Sequence, residues 1–355
     1  MIPQTAPRST LDPEVQSFLT QNPPLRLSGR DIFQERRHHV QTFSLHNIPT
    51  SKQPSILHVE HTAIPAGPHG TIPLRILYPT RPAATPHRPS DTDPASPTPH
   101  NLAPALIYFH GGGYTVGSGD DFEPGCRLLA EAAGIQIYLV EYRLAPEWTY
   151  PTQLDEYDAV IDWLRGEGGQ ARHVDPARIF GGGDSAGGNM TAAVSLRRAD
   201  RKLKGLDGLV LLYPEARLPF DTPAAVENND GAGLYLDCNG IFNFAANYIP
   251  DGVAPSSRYI SPGMQPPDQL QGLPPARVYT CGFDPLRDVG VELASKLQAA
   301  GNAVVWRHYA ELCHGFLQMA PWSEAAMRAL REVARDVRAL AEGRSSGDGN
   351  GQSGG

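Results

Sequence analysis

Arg178-Ile-Phe-Gly-Gly-Gly-Asp-Ser-Ala-Gly-Gly-Asn-Met190 carries the strongest structural signal in this chain. A short apolar run, Ile179 and Phe180, meets three glycines, then Asp184 and Ser185, then small residues with helical spacing. Gly183-Asp-Ser-Ala-Gly187 fits Gly-x-Ser-x-Gly, the pattern of a strand that bends sharply into a helix and pushes one hydroxyl out at the bend. Such a turn is crowded and strained, so its flanks must be very small. The helix that follows aims free N–H groups at whatever sits above Ser185. Two other glycine-rich turns compete. A phosphate-binding P-loop needs Gly-Lys-Ser/Thr after the glycines, and none follows. Gly-Asp-Ser-x-Gly also surrounds the nucleophile of all-β serine proteases, whose histidine and aspartate precede the serine.

Upstream, Ala105-Leu-Ile-Tyr-Phe109 reads as a buried strand that runs into His110-Gly-Gly-Gly-Tyr-Thr-Val-Gly-Ser118. Three glycines after a strand let the backbone approach a ligand and turn N–H groups toward it. In an acyl-transfer enzyme that is an oxyanion hole, completed by the N–H of the residue after the nucleophile, Ala186. His110 reads as a brace for this loop. Strands at 135–140 and 209–213, with a helical pattern over Thr152–Arg165 between them, continue a strand–helix alternation that argues for a parallel sheet. Further strands are expected at 56–64, 71–78, 277–280 and 303–309, with helices at 289–300 and 322–341. No element is predicted over 119–133.

At 355 residues the chain can bury a full core, and its 40% hydrophobic and 19% charged content is an ordinary globular mix. A formal charge of −8 with no basic block argues against nucleic-acid or acidic-membrane partners. Cys126, Cys238, Cys281 and Cys313 are scattered, which suggests reduced thiols and no zinc cluster, although Cys281 and Cys313 are placed to approach each other. No signal core opens the chain, and no apolar run nears the roughly 18–20 residues of a membrane span, so a cytoplasmic protein is the default expectation. Residues 79–104 hold eight prolines and read as a loop excursion without chemistry, and 343–355 read as a disordered tail.

Together, His110-Gly-Gly-Gly113, Tyr142-Arg-Leu-Ala-Pro-Glu147, Gly183-Asp-Ser-Ala-Gly-Gly188, Asp284-Pro-Leu and His314-Gly-Phe316 resemble the hormone-sensitive lipase family of α/β-hydrolases. The resemblance implies a serine esterase on the α/β-hydrolase fold: an eight-stranded, mostly parallel sheet flanked by helices and covered by a helical cap. The cap is expected from residues 1–50 together with 215–265, and the catalytic domain from 51–214 and 266–342. Family members often form homodimers through the last strand. In Tyr142–Glu147, Arg143 and Glu147 are expected to form an internal ion pair.

A hydroxyl at its ordinary pKa is a weak nucleophile, so Ser185 needs a base, and the base needs an orienting group. Of twelve histidines, eight precede the core sheet, His110 belongs to the glycine loop, His173 lies at the wrong end of a strand and His308 within one. His314 remains, at the C-terminal end of a strand, where such sheets carry their sites. Asp284 sits at another strand end, while Asp288, a turn later, suits the next helix N-terminus. The order Ser185, Asp284, His314 is that of α/β-hydrolases. The expected site is therefore Ser185, Asp284 and His314 with an oxyanion hole of Gly112, Gly113 and Ala186, no cofactor and no metal. Its substrate is expected to be a small ester of short to medium acyl chain. An amidase, thioesterase or lactonase on the same site remains open, and His314 argues against a non-enzymatic receptor.

Overall fold

A computed structural model describes residues 1–23, 31–82, 102–229 and 234–343. Most of the proline-rich stretch and the carboxy-terminal stretch from 344 lie outside the described residues. In chain order the elements are α1 (Pro13–Gln21), α2 (Ile32–Phe43), β1 (His58–Gly67), β2 (Gly70–Tyr78), β3 (Ala103–Phe109), α3 (Gly119–Ala133), β4 (Gln136–Val140), α4 (Thr152–Arg165), α5 (Glu167–Gln170), β5 (Val174–Asp184), α6 (Ala186–Asp200) and β6 (Leu209–Leu212). They continue as α7 (Pro223–Glu227), α8 (Cys238–Tyr248), β7 (Ala276–Phe283), α9 (Arg287–Ala299), β8 (Val304–Cys313), α10 (Phe316–Met319) and α11 (Glu324–Ala341).

The strands form one eight-stranded sheet in the order β1-β2-β4-β3-β5-β6-β7-β8. The pairs β1/β2 and β2/β4 are antiparallel, and from β4 to β8 every pair is parallel. This is the expected α/β-hydrolase architecture. Central strands buried on both faces read as continuous apolar runs, and the period of two still sorts them. Ile107, Phe109, Leu209 and Leu211 join the core under α4, α6 and α9, while Leu106, Tyr108, Val210 and Leu212 join the core under α3 and α11.

The chain leaves β3 for β4 on one side and crosses back to β5 on the other. The crevice for a ligand in such a sheet opens at the carboxyl ends of the strands where this reversal occurs. Register makes the crevice specific. Phe109 pairs with Gly183, so the glycine loop and the Ser185 turn leave the sheet side by side. Phe283 pairs with Cys313, so the next residues, Asp284 and His314, emerge next to each other although thirty residues separate them.

Two local findings depart from the sequence reading. Helix α3 runs through Pro124 and Gly125, which disfavour a helix interior. It starts on a capping box between Ser118 and Asp121, ends on left-handed Gly134, and is held by apolar contacts with α11. Arg143 does not pair with Glu147. It pairs with the buried Glu156 of α4, and Glu147 instead receives both terminal nitrogens of Arg36 from α2, each at 2.8 Å. Partners on distant elements win here because they are the opposite charges the fold brings within reach. All four cysteines are buried, and none is in a disulfide.

The N-terminal segment is strapped to the sheet. Ser9 N–H donates to the Ala310 carbonyl at 3.0 Å, and Asp12 N–H donates to that of Glu311 at 2.9 Å. No helix among the described residues is long and apolar enough to cross a membrane.

Candidate active site

Ser185 adopts φ 53° and ψ −119°, a conformation that L-residues rarely hold, and its N–H donates to the Leu212 carbonyl at 2.9 Å. The flanking glycines are sterically required. A Cβ on Gly183 would sit 2.2 Å from the Phe109 carbonyl oxygen, and one on Gly187 only 1.8 Å from the same atom. One carbonyl of β3 thus accounts for both glycines of the Gly-x-Ser-x-Gly signature. α6 begins at Ala186, directly after the serine.

Asp184 braces the loops around this turn. Its Oδ1 accepts from the Tyr108 hydroxyl at 2.7 Å and from Gly111 N–H at 2.9 Å, and its Oδ2 accepts from Gln318 Nε2 at 3.3 Å. Burial pushes its pKa up, and the Tyr108 hydrogen bond opposes that rise. Gly111 N–H is therefore occupied, whereas the N–H groups of Gly112, Gly113 and Ala186 donate to nothing among the described residues. Gly112 and Gly113 line the same cavity as Ser185. His110 serves the loop as a brace: its Nδ1 lies 2.8 Å from the Gly111 carbonyl, and its ring stacks between Phe122 and Tyr142.

His314 Nδ1 lies 2.8 Å from Asp284 Oδ2, and Asp284 Oδ1 accepts from Leu286 N–H at 2.8 Å. Asp284 is fully buried behind the ring, and His314 shares the cavity wall with Ser185. The Ser185 hydroxyl has no hydrogen-bond partner among the described residues, so the geometry consists of a carboxylate–imidazole pair and a serine on one wall. Asp288 sits in the first turn of α9 as expected. It also accepts from Ala224 N–H of α7 at 2.8 Å, which anchors the insertion.

The cavity holds about 900 Å³ including its mouth. Its apolar lining includes Phe18, Val116, Phe122, Ile241, Phe244 and Leu286. α1, α2 and α8 all contribute to it. Two groups of site residues escape sequence reasoning. Glu215 follows β6 and lines the cavity. It is 3% exposed, its Oε1 has no partner, and burial pushes its pKa to about 8 against the lowering effect of a hydrogen bond with Tyr114. His39 of α2 pairs through Nδ1 with Asp121, and its Nε2 lies 2.5 Å from the Tyr235 hydroxyl. The Tyr235 ring faces that of His314 at 6.4 Å and 17°. The sequence permits a helix from Asp31 through Phe43, but its spacing at 35, 38, 39 and 42 is polar, so nothing local aims that face at a cavity.

A strained serine turn at the switch point of a mostly parallel sheet, a glycine loop beside it and an acid–histidine pair on adjacent strand ends match the α/β-hydrolase class. The comparisons agree: residues 106–318 match the model of the alpha/beta hydrolase fold, and the chain belongs to that family, in its hormone-sensitive-lipase-like branch. It is 33% identical over 342 residues to the carboxylic ester hydrolase LipN of Mycobacterium tuberculosis, covering 93% of this chain and 83% of that protein. It is 32% identical over 271 residues to an ethyl acetate hydrolase of Pseudomonas putida, covering 76% and 78%. Among solved structures, a thermostable esterase from Pseudomonas putida superposes with a TM-score of 0.82 at 26% identity, covering 95% of this chain and 99% of that one.

Proposed function

We propose that the protein is a serine carboxylesterase that hydrolyses small esters of short to medium acyl chain through an acyl-enzyme. The observation that carries this reading is the pairing of Phe283 with Cys313, which sets the Asp284–His314 hydrogen bond of 2.8 Å in the cavity wall that also holds Ser185. The esterase names of the relatives support it.

In this reading His314 takes the proton of Ser185 as the hydroxyl attacks the ester carbonyl. Asp284 fixes the imidazole with its proton on Nδ1 and stabilises the charged ring. The free N–H groups of Gly112, Gly113 and Ala186 receive the oxyanion, and each such donor is worth about 10²–10³ in rate. The alcohol leaves with the proton held by His314, and water attacks the acyl-enzyme with His314 again as base. Residues 1–50 and 215–265 act as a cap over the cavity, and their apolar side chains favour an alkyl acyl arm. A cytoplasmic location and a homodimer complete the working reading, and size-exclusion chromatography with light scattering tests the latter.

The decisive experiment is hydrolysis of p-nitrophenyl acetate, butyrate, octanoate and palmitate by wild type and Ser185→Ala. Turnover peaking at short or medium chains and abolished by the substitution is the expected result. A palmitate optimum would reject the chain-length reading. No ester turnover by a folded wild type would overturn the esterase.

A further inference from the structure

A helix packed over a cavity normally turns an apolar stripe inward. α2 turns a mostly polar one inward, with Phe43 at its end as the apolar member. Glu35, His38, His39 and Thr42, spaced as one helical face, all line the cavity that holds Ser185 and His314. The face is sheltered, since Glu35 is 9% exposed, His39 8% and Thr42 9%.

Two of these groups are spent on structure. His39 is held between Asp121 and Tyr235, and Thr42 donates its hydroxyl to the His38 carbonyl at 2.9 Å. The first ties the helix to its neighbours, and the second is spent within the helix itself. The Glu35 carboxyl and the His38 ring, by contrast, have no hydrogen-bond partner among the described residues. Both open onto the cavity rather than into closed protein, so a ligand can reach them. Cavity-facing polar groups without a protein partner are free to receive a substrate hydroxyl, as in sites built to bind one.

We propose that the α2 wall recognises hydroxyl groups of the substrate, so that one arm of the ester is a hydroxyacyl or polyol group and not plain alkyl. This rests on the esterase reading above. Glu35 accepts from the hydroxyl, and His38 supplies a second donor or acceptor beside it. Burial, with nearby Asp31 in support, raises the Glu35 pKa, which favours a neutral hydroxyl over a cationic arm. The apolar part of the lining, with Val116, Ile241, Phe244 and Leu286, takes the other arm.

The test compares kcat/KM within matched pairs: propyl against 2,3-dihydroxypropyl butyrate, and p-nitrophenyl butyrate against p-nitrophenyl 3-hydroxybutyrate. Butyrylcholine serves as the cationic probe. In wild type, one hydroxylated member should be favoured about tenfold, the effect of one hydrogen bond. Glu35→Met should erase most of that ratio and Glu35→Gln should keep it, with far-UV circular dichroism checking the fold. Should Glu35→Met not fold, His38→Leu gives the same reading at a half-buried position. Equal treatment of both members by wild type, a ratio unmoved in the folded Glu35→Met or His38→Leu variant, or preference for butyrylcholine would overturn the proposal. Wild type inert even on p-nitrophenyl butyrate would instead overturn the esterase reading, and this proposal with it.

Discussion

Replacing Glu215 by glutamine isolates one buried carboxyl without changing its shape. In the folded protein burial raises its pKa from the ordinary 4.5 to about 8. Below pH 4.5 both folded and unfolded chains hold the proton, and the group adds no pH dependence. Between pH 4.5 and about 8 the unfolded chain releases the proton while the folded chain keeps it. Stability therefore falls as pH rises, by at most about 1.4 kcal/mol per pH unit. Above about pH 8 the folded carboxyl also ionises and the loss levels off. Taken over this window the loss is about 5 kcal/mol, an upper figure because a buried acid relaxes its surroundings when it ionises. Glutamine has no proton to lose and still offers a hydrogen-bonding partner to Tyr114. Urea unfolding of both proteins at pH 5, 6.5 and 8.5 should show the variant gaining on wild type steadily, by about 2–4 kcal/mol between the extremes. A difference between the two proteins that stays flat within about 1 kcal/mol would refute the reasoning, because the carboxyl would then titrate alike in both states.

Asp284→Asn should cut kcat of ester hydrolysis by about 10⁴ with little change in the melting temperature, since the amide keeps the shape but mis-sets the imidazole. Asp184→Ala strands the Tyr108 hydroxyl and Gly111 N–H in the interior, so urea unfolding should register a loss of about 3 kcal/mol, accompanied by lower kcat as the glycine loop relaxes. Gly187→Ala drives a methyl to 1.8 Å from the Phe109 carbonyl, and expression trials should yield insoluble protein or protein at least about 3 kcal/mol less stable. Arg36→Ala removes the contacts from α2 to the Thr115 and Ala145 carbonyls and to Glu147, so steady-state kinetics should show KM rising several-fold with kcat less affected.

What could be read from the chain beforehand was whatever backbone geometry forces on local residue type. The Ser185 turn needs glycine at 183 and 187 because one carbonyl leaves no room for a Cβ, so the pattern is written in the sequence. The parallel strands announce themselves as apolar runs because both faces are buried. Asp284 and His314 were legible as strand-end residues, but their adjacency depends on a register that only the folded sheet supplies. Ion pairs fared worse. Arg143 and Glu147 are close in sequence, yet each finds its partner on another helix. The α2 face was illegible for a related reason: its polar stripe resembles a solvated surface until the fold turns it toward a cavity. Glu215 gave no warning at all, since a single acid after a strand is ordinary unless its burial is known.

The strand that carries His314 is also the last in the sheet, and its outer edge is held partly by the bonds from Ser9 and Asp12. An edge strand is where a sheet begins to come apart, since local opening there costs less than global unfolding. The base of the proposed reaction therefore follows one of the two edge strands, and a dozen residues at the far end of the chain act as its clasp. On warming, the Asp284–His314 pair should lose its alignment while the central strands remain intact, which would set the temperature range of activity at the rim of the sheet rather than in its core.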